Sequence, residues 1–461
     1  MILDKSNKYD KGKVALTIIW TLLFTTFIMI ANMPKDVSET QYSWYKLSIL
    51  DEYIEIIRNG SVPPFLSING HSWGYGLYLP YLANALNIDE SWKILAYLNL
   101  TFSWFAIIFV TYKIYKITKN LFLTSIAPVL LHIFVGNYLY GYNSDTFWPA
   151  GWALVITFPL IYDFIKANSI KKELYYICFI GGGCSVSNIV RNHNGITVLA
   201  VVVLICILRA VKRLRDGNIK GTFASVFEIV IFYLCYGLFD KYLPLFIGTI
   251  MGQKVLNNTG FFWHSILCGL GVYDNKYGLA WSDDTIRGIV GSIYTNVPTD
   301  EFYSNEYFEA CKAYFFDIFT RDPGFVISTW MNKFGKTLIN VMQIEFTNVK
   351  DLYLSQGIIN VHNLLIPTLI TAGGLVYCNA RKLFSINEKR LLITLVLISF
   401  IEMLVGTIQS VIGYVDTRYF QTALVGMGFT IFLVAIFCCS RIKVIEGKIN
   451  VVHNGGANDA L

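Results

Sequence analysis

Residues 389–443 read KRLLITLVLISFIEMLVGTIQSVIGYVDTRYFQTALVGMGFTIFLVAIFCCSRIK. Two apolar runs, 390–410 and 421–440, are each long enough to cross a bilayer as a helix. Lys389 and Arg390 precede the first run, and Arg441 and Lys443 follow the second, while the turn between the runs carries only Asp416 and Arg418 as charges. Lysine and arginine collect on the cytoplasmic side of a membrane, so the pair reads as a helical hairpin with its turn outside.

The same pattern extends over the chain. Of 461 residues 54% are hydrophobic and only 15% charged, which excludes an ordinary soluble domain. Ten spans are expected, at 13–33, 92–113, 120–140, 148–166, 174–190, 196–210, 222–246, 358–379, 390–410 and 421–440. Basic clusters then alternate in register: Lys5 to Lys13, Lys113 to Lys119, Lys166 to Lys172, Arg209 to Lys220, and Arg381 to Arg390 all fall inside. The three short outer loops hold only Arg191 and Arg418. The expected fold is an all-α polytopic membrane protein of about ten transmembrane helices, with both termini cytoplasmic. Residues 1–440 form one membrane domain and 441–461 a cytoplasmic tail. The first span has charged flanks and no small-residue cleavage site, so it reads as a retained helix. The net charge of +6 reflects this orientation and anionic lipid at the inner surface, and nothing points to nucleic acid.

Two extended outer segments, about 34–91 and 247–357, contain amphipathic stretches suited to the membrane surface. In the first, Trp44, Leu47, Ile54 and Ile57 recur at helical spacing, with Asp51, Glu55 and Arg58 on the opposite side and Gly60 and Pro63-Pro64 as a stop. In the second, Asp322-Pro323 starts a helix. Neither segment is expected to be an independent domain. Cys268 and Cys311 share the second segment and could pair in an oxidising compartment. No CxxC pair and no His–Cys spacing suggests a metal site, although Asp274, Asp283 and Asp284 leave a divalent cation possible.

Polar clusters recur on the outer side. Asp51-Glu52-Tyr53 suits a general base or a cation site, and equally a solvated helix face; Asp36 and Glu39 form a rival acidic pair. Arg191, in the turn Arg191-Asn192-His193-Asn194-Gly195, offers a planar donor fork to a lipid phosphate, or is a simple interfacial anchor. The densest string is Trp263-His264-Ser265, Gly269-Leu270-Gly271, Tyr273-Asp274-Asn275-Lys276-Tyr277-Gly278 and Trp281-Ser282-Asp283-Asp284. It reads as a loop folded over a polar ligand, with aromatic faces suited to sugar rings, or as a packed loop with a structural histidine. Arg418 and Tyr419 sit just outside the last span, either as a phosphate contact or as part of an aromatic belt. Inside the spans, Glu402 is costly unless paired or functional. Gly181-Gly182-Gly183 has no preceding strand and suits close helix packing better than phosphate binding.

In combination, these motifs resemble the membrane-embedded C-type glycosyltransferases, the superfamily of protein mannosyltransferases and bacterial aminoarabinose transferases. The resemblance rests on Asp51, Glu52 and Tyr53 after the first span and on Arg418-Tyr419 before a late one. A bacterial branch is similar in the 263–283 string and in Asp322-Pro323. What the resemblance implies is sugar transfer from a polyprenyl-phosphate donor to an envelope glycan, lipid or protein on the outer face of the cell membrane. Transfer would invert the anomeric centre, with Asp51 (rival Asp36) as base beside Glu52 and no cofactor required. Arg191 and Arg418 would hold the donor phosphate, and Trp263, His264, Asn275, Tyr277, Trp281, Asp283 and Tyr419 the substrate. A polysaccharide ligase or polymerase is the alternative; a transporter or lipid flippase would place more ionisable residues at mid-depth and repeat its halves.

Overall fold

A computed structural model describes residues 3–31, 44–63, 73–136, 148–190, 195–237, 242–252, 261–294, 304–342, 365–413 and 417–455. Asp36, Glu39, Arg191 to Asn194 and Tyr414 to Asp416 lie outside these residues. The side chains of Arg418 and Tyr419 are not described either.

Every regular element among the described residues is helical. In chain order they are α1 (Leu3–Ala31), α2 (Trp44–Arg58), α3 (Trp73–Ala85), α4 (Ser91–Thr118) and α5 (Leu121–Leu131), which runs into a π turn at His132–Gly136. Next come α6 (Trp148–Lys166), α7 (Ile170–Val190), α8 (Ile196–Arg215), α9 (Ile219–Gly237) and α10 (Leu243–Met251). The second of the segments expected outside contains α11 (Phe261–Leu270), α12 (Asp283–Ile293), α13 (Asn305–Arg321) and α14 (Pro323–Met342). The chain closes with α15 (Leu365–Ala380), α16 (Ile386–Ile412) and α17 (Thr417–Gly455), the last running on through most of the expected tail.

Four stretches are long and apolar enough to cross a membrane: Ala96–Thr118, Ile219–Gly237, Ile386–Ile412 and Ala423–Ile442; Gly12–Ile28 and Leu121–Leu131 are shorter apolar helices. The surface of the bundle fits a lipid solvent. Phe223 on α9 is 71% exposed, Ile370 on α15 68% and Phe105 on α4 65%, in a pattern that water would penalise. Inside, Trp152, Phe158, Phe164, Phe232, Phe429 and Phe432 join α6, α9 and α17 into one core. Gly181 and Gly183 allow close packing as expected: a Cβ there would stand 2.8 Å from Cys235 Cβ and 2.6 Å from Thr157 Cγ2, respectively.

Local signals set the helix ends. Ser385 and Glu388 form a reciprocal capping box at the start of α16. Gly60, at φ 74°, follows α2 as its sequence suggested. Asp322 Oδ1 accepts from Phe325 N–H at 3.0 Å, capping α14 just before Pro323.

Two features depart from expectation. Two arginines of the basic cluster after 196–210 have buried partners. Arg213 donates twice to Glu173, at 2.7 Å each, and to Ser225 Oγ at 2.7 Å. Arg209 stands 3.6 Å from Glu173 and 3.8 Å from Glu228, and its guanidinium also reaches the Phe164 carbonyl. Buried carboxylates on α7 and α9 need such partners, so these arginines tie three helices together. The segment of α11 to α14, moreover, builds a core of its own from Leu267, Ile286, Tyr307, Phe315, Ile318 and Val326, separate from the core of the bundle.

Candidate functional site

This unit, termed the outer unit after the side expected of it, is shaped by its loop, 271–282. Asn275 holds the loop together by donating both amide hydrogens, to Tyr273 O at 2.9 Å and Leu279 O at 2.8 Å. Its Oδ1 accepts from Tyr277 and Leu279 N–H, at 3.1 Å each. All four bonding positions of the amide are then filled by the loop backbone, which leaves none for the substrate contact expected of it. Asn275→Ala should therefore loosen the loop by about 2 kcal/mol, seen as faster amide hydrogen exchange across 271–282 with α13 unchanged.

The aromatic residues also face the unit's own core. Trp263 packs on Phe315 and Phe316 at 5.7 and 5.4 Å between ring centres. Tyr277 packs on Phe325 at 5.2 Å, and its hydroxyl lies 3.4 Å from Asp322. Lys276 pairs with Asp322 at 2.7 Å and holds that carboxyl below its usual range. Trp281 is half-buried against the same core. In Gly269-Leu270-Gly271 the glycines serve packing: a Cβ at Gly269 would lie 2.2 Å from Ile412 O, and one at Gly271 2.4 Å from Ala280 N.

A polar cluster at the heart of this unit centres on His264, 1% exposed. Nδ1 lies 2.7 Å from Tyr307 Oη on α13. Nε2 lies 3.0 Å from Asp283 Oδ1 and 3.3 Å from Cys268 Sγ. Asp283 is the first residue of α12, behind its cap Ser282, and its side chain is 64% exposed. His264 and Cys268 are one helical turn apart and share a face of α11; Tyr307 and Cys311 do the same on α13. That i, i+4 His–Cys spacing is present in the sequence, contrary to the expectation that no such spacing suggests a metal site. The structure thus unites His264 with Asp283, and adds Cys268 and Tyr307. Both thiols of the suggested Cys268–Cys311 pair are free. Burial raises the pKa of both, Cys311 to about 12; for Cys268 the Asp283 carboxylate adds to the effect.

Lys333 on α14 was also missed. Fully buried, it donates to Gly269 O at 3.0 Å and to Gly413 O, the carbonyl ends of α11 and α16. Two helix C-termini converging on one amine suit a cation, yet burial lowers its pKa to about 7. This contact fastens the outer unit to α16.

Asp51 belongs to a different junction. Its Oδ1 accepts from Ser91 N–H, the first residue of α4, at 2.7 Å, and the Ser91 hydroxyl donates to the carboxylate as well. Asp51 therefore faces α4 and not, as its helical phase suggested, open solvent. Burial raises its pKa against the opposing pull of Ser91, and Glu90 adds to the rise. Glu52 beside it is exposed and Tyr53 buried.

Comparison with protein-family profiles, curated proteins and solved structures gives no match to this chain.

Proposed function

We propose that the chain is an integral membrane glycosyltransferase. It moves a sugar from a polyprenyl-phosphate donor to an envelope acceptor on the extracytoplasmic face, with inversion. In this reading ten spans cross the membrane with both termini inside, six of them less apolar or shorter than the four most evident ones. Asp51 is the general base, and Arg191 and Arg418 stabilise the phosphate as it leaves.

The observation that carries the reading is the state of Asp51. A carboxylate half-buried where α2 meets the first turn of α4, with its proton affinity raised by burial, suits the removal of a proton from a sugar or protein hydroxyl. Topology adds support. Arg418 lies in the first turn of α17, five residues beyond Gly413, where Lys333 fastens the outer unit.

The test is turnover by the purified, lipid-reconstituted protein. Polyprenyl-phosphate monosaccharides of several sugars are supplied together with an envelope extract as acceptor. Consumption of one donor, with a labelled product of inverted anomeric configuration, is the expected result. If no donor is consumed by folded protein, the transferase reading is lost and a ligase or transporter takes its place.

A further inference from the structure

The cluster on α11 and α12 is not shaped like a catalytic thiol triad. In such a triad the acid orients one ring nitrogen of histidine while the nucleophile meets the other. Here thiol and carboxylate converge on the same nitrogen, Nε2, at 3.3 and 3.0 Å, and Tyr307 anchors the opposite one. The three donor atoms face one another across a common gap, where a single cation would meet nitrogen, sulfur and carboxylate at once.

We propose that His264, Cys268 and Asp283 bind one divalent transition metal ion, zinc by preference. The proposal stands apart from the transferase reading and does not depend on it. The three candidate ligand atoms lie within 4.8 Å of one another. Their separations are 3.0 Å for nitrogen to carboxylate, 3.3 Å for sulfur to nitrogen and 4.0 Å for sulfur to carboxylate. A tetrahedral zinc ion with ordinary bond lengths needs about 3.3, 3.6 and 3.6 Å, so sub-ångström adjustments close the site. A thiolate, an imidazole and a carboxylate together select zinc over magnesium or calcium.

The surroundings match as well. Metal-binding histidines direct their second nitrogen to an oxygen that fixes the tautomer; with Nδ1–H donating to Tyr307 Oη, the Nε2 lone pair faces Cys268 and Asp283. The buried sides are supplied by His264 and Cys268, and Asp283 is the exposed edge. Three protein ligands leave the fourth position on that edge to water or to a ligand donor atom, the pattern of sites that act on a ligand. Binding converts the Cys268 thiol to thiolate and releases its proton to solvent.

The experiment uses the full chain, purified in detergent, stripped with chelator and reloaded with zinc or cobalt. The expected result is one equivalent bound per chain with net proton release, and a thiolate-to-cobalt charge-transfer band. An excess of magnesium should not displace the metal. Cys268→Ser should abolish the band, and Asp283→Ala, a change at an exposed position, should weaken binding at least 10-fold. Tyr307→Phe should weaken it about 10-fold or more through the lost anchor. Failure of the wild type to hold an equivalent overturns the proposal, as does undiminished binding by both Cys268→Ser and Asp283→Ala.

Discussion

Asp51→Asn should leave the chain folded and lower sugar transfer by about 10²–10⁴-fold, the usual contribution of a positioned general base. The asparagine carbonyl can still accept from Ser91 N–H, so the contact between α2 and α4 persists. It also resembles the protonated acid. Burial raises the pKa of Asp51 in the folded chain. The carboxyl's contribution to stability is therefore full below its unfolded pKa and is lost as pH rises through the folded one. At neutral pH Asp51→Asn should accordingly be no less stable than wild type. Asp51→Ala should be equally inactive but less stable by about 1 kcal/mol, because Ser91 N–H loses its acceptor. Thermal unfolding and donor turnover, measured on both variants, separate the cap from the base. In the wild type, activity should rise with pH through an inflection above the ordinary aspartate range. Full activity in Asp51→Asn, with loss in Asp36→Asn, would transfer the role to Asp36.

Gly269→Ala should detach the outer unit from α16. The new methyl would meet two backbone carbonyls, Ile412 O at 2.2 Å and Gly413 O at 2.7 Å, and Lys333 Nζ at 2.9 Å. None of these is the loose end of a surface side chain, so α11 itself must retreat, at a cost of about 3 kcal/mol. Retreat also strands the buried amine of Lys333, whose acceptors are Gly269 O and Gly413 O. Protease cleavage within 261–342, with the bundle still protected, would show the effect; wild-type protection would refute it. Lys333 gives the junction a pH dependence. Its folded pKa is lowered to about 7 from 10.5, so across that window the unfolded chain holds a proton that the folded chain releases. Docking should strengthen from pH 7 to 10, by less than about 1.4 kcal/mol per pH unit, since the two helix C-termini favour the cation. The added penalty is constant below pH 7. Lys333→Met should lose this dependence.

Helical class and segment positions were legible because a membrane solvent enforces them along the chain. Runs such as 390–410 and 421–440 became helices at the expected places, and Asp322-Pro323 marked a helix start. The candidate site was legible only in part. His264 and Asp283 belong to one string of the sequence and meet across two helices, α11 and α12, and Asp51 lies on the amphipathic helix whose spacing was legible. Asn275, Trp263 and Tyr277 have the residue types of a sugar site, yet they build the loop that carries it. Residue type tells what a side chain can bond, not which neighbour reaches it first.

The sequence by itself determined the helices, their ends and the alternation of charge, because these depend on residues a few positions apart and on the solvent. Tertiary structure alone decided the partners. It brought the buried amine of Lys333 to carbonyls 64 and 80 residues away, turned Arg209 and Arg213 toward Glu173 and Glu228, and set Tyr307 behind His264. Such pairs form where helices distant in sequence cross and burial leaves each polar group its nearest complement, a geometry that no local pattern encodes.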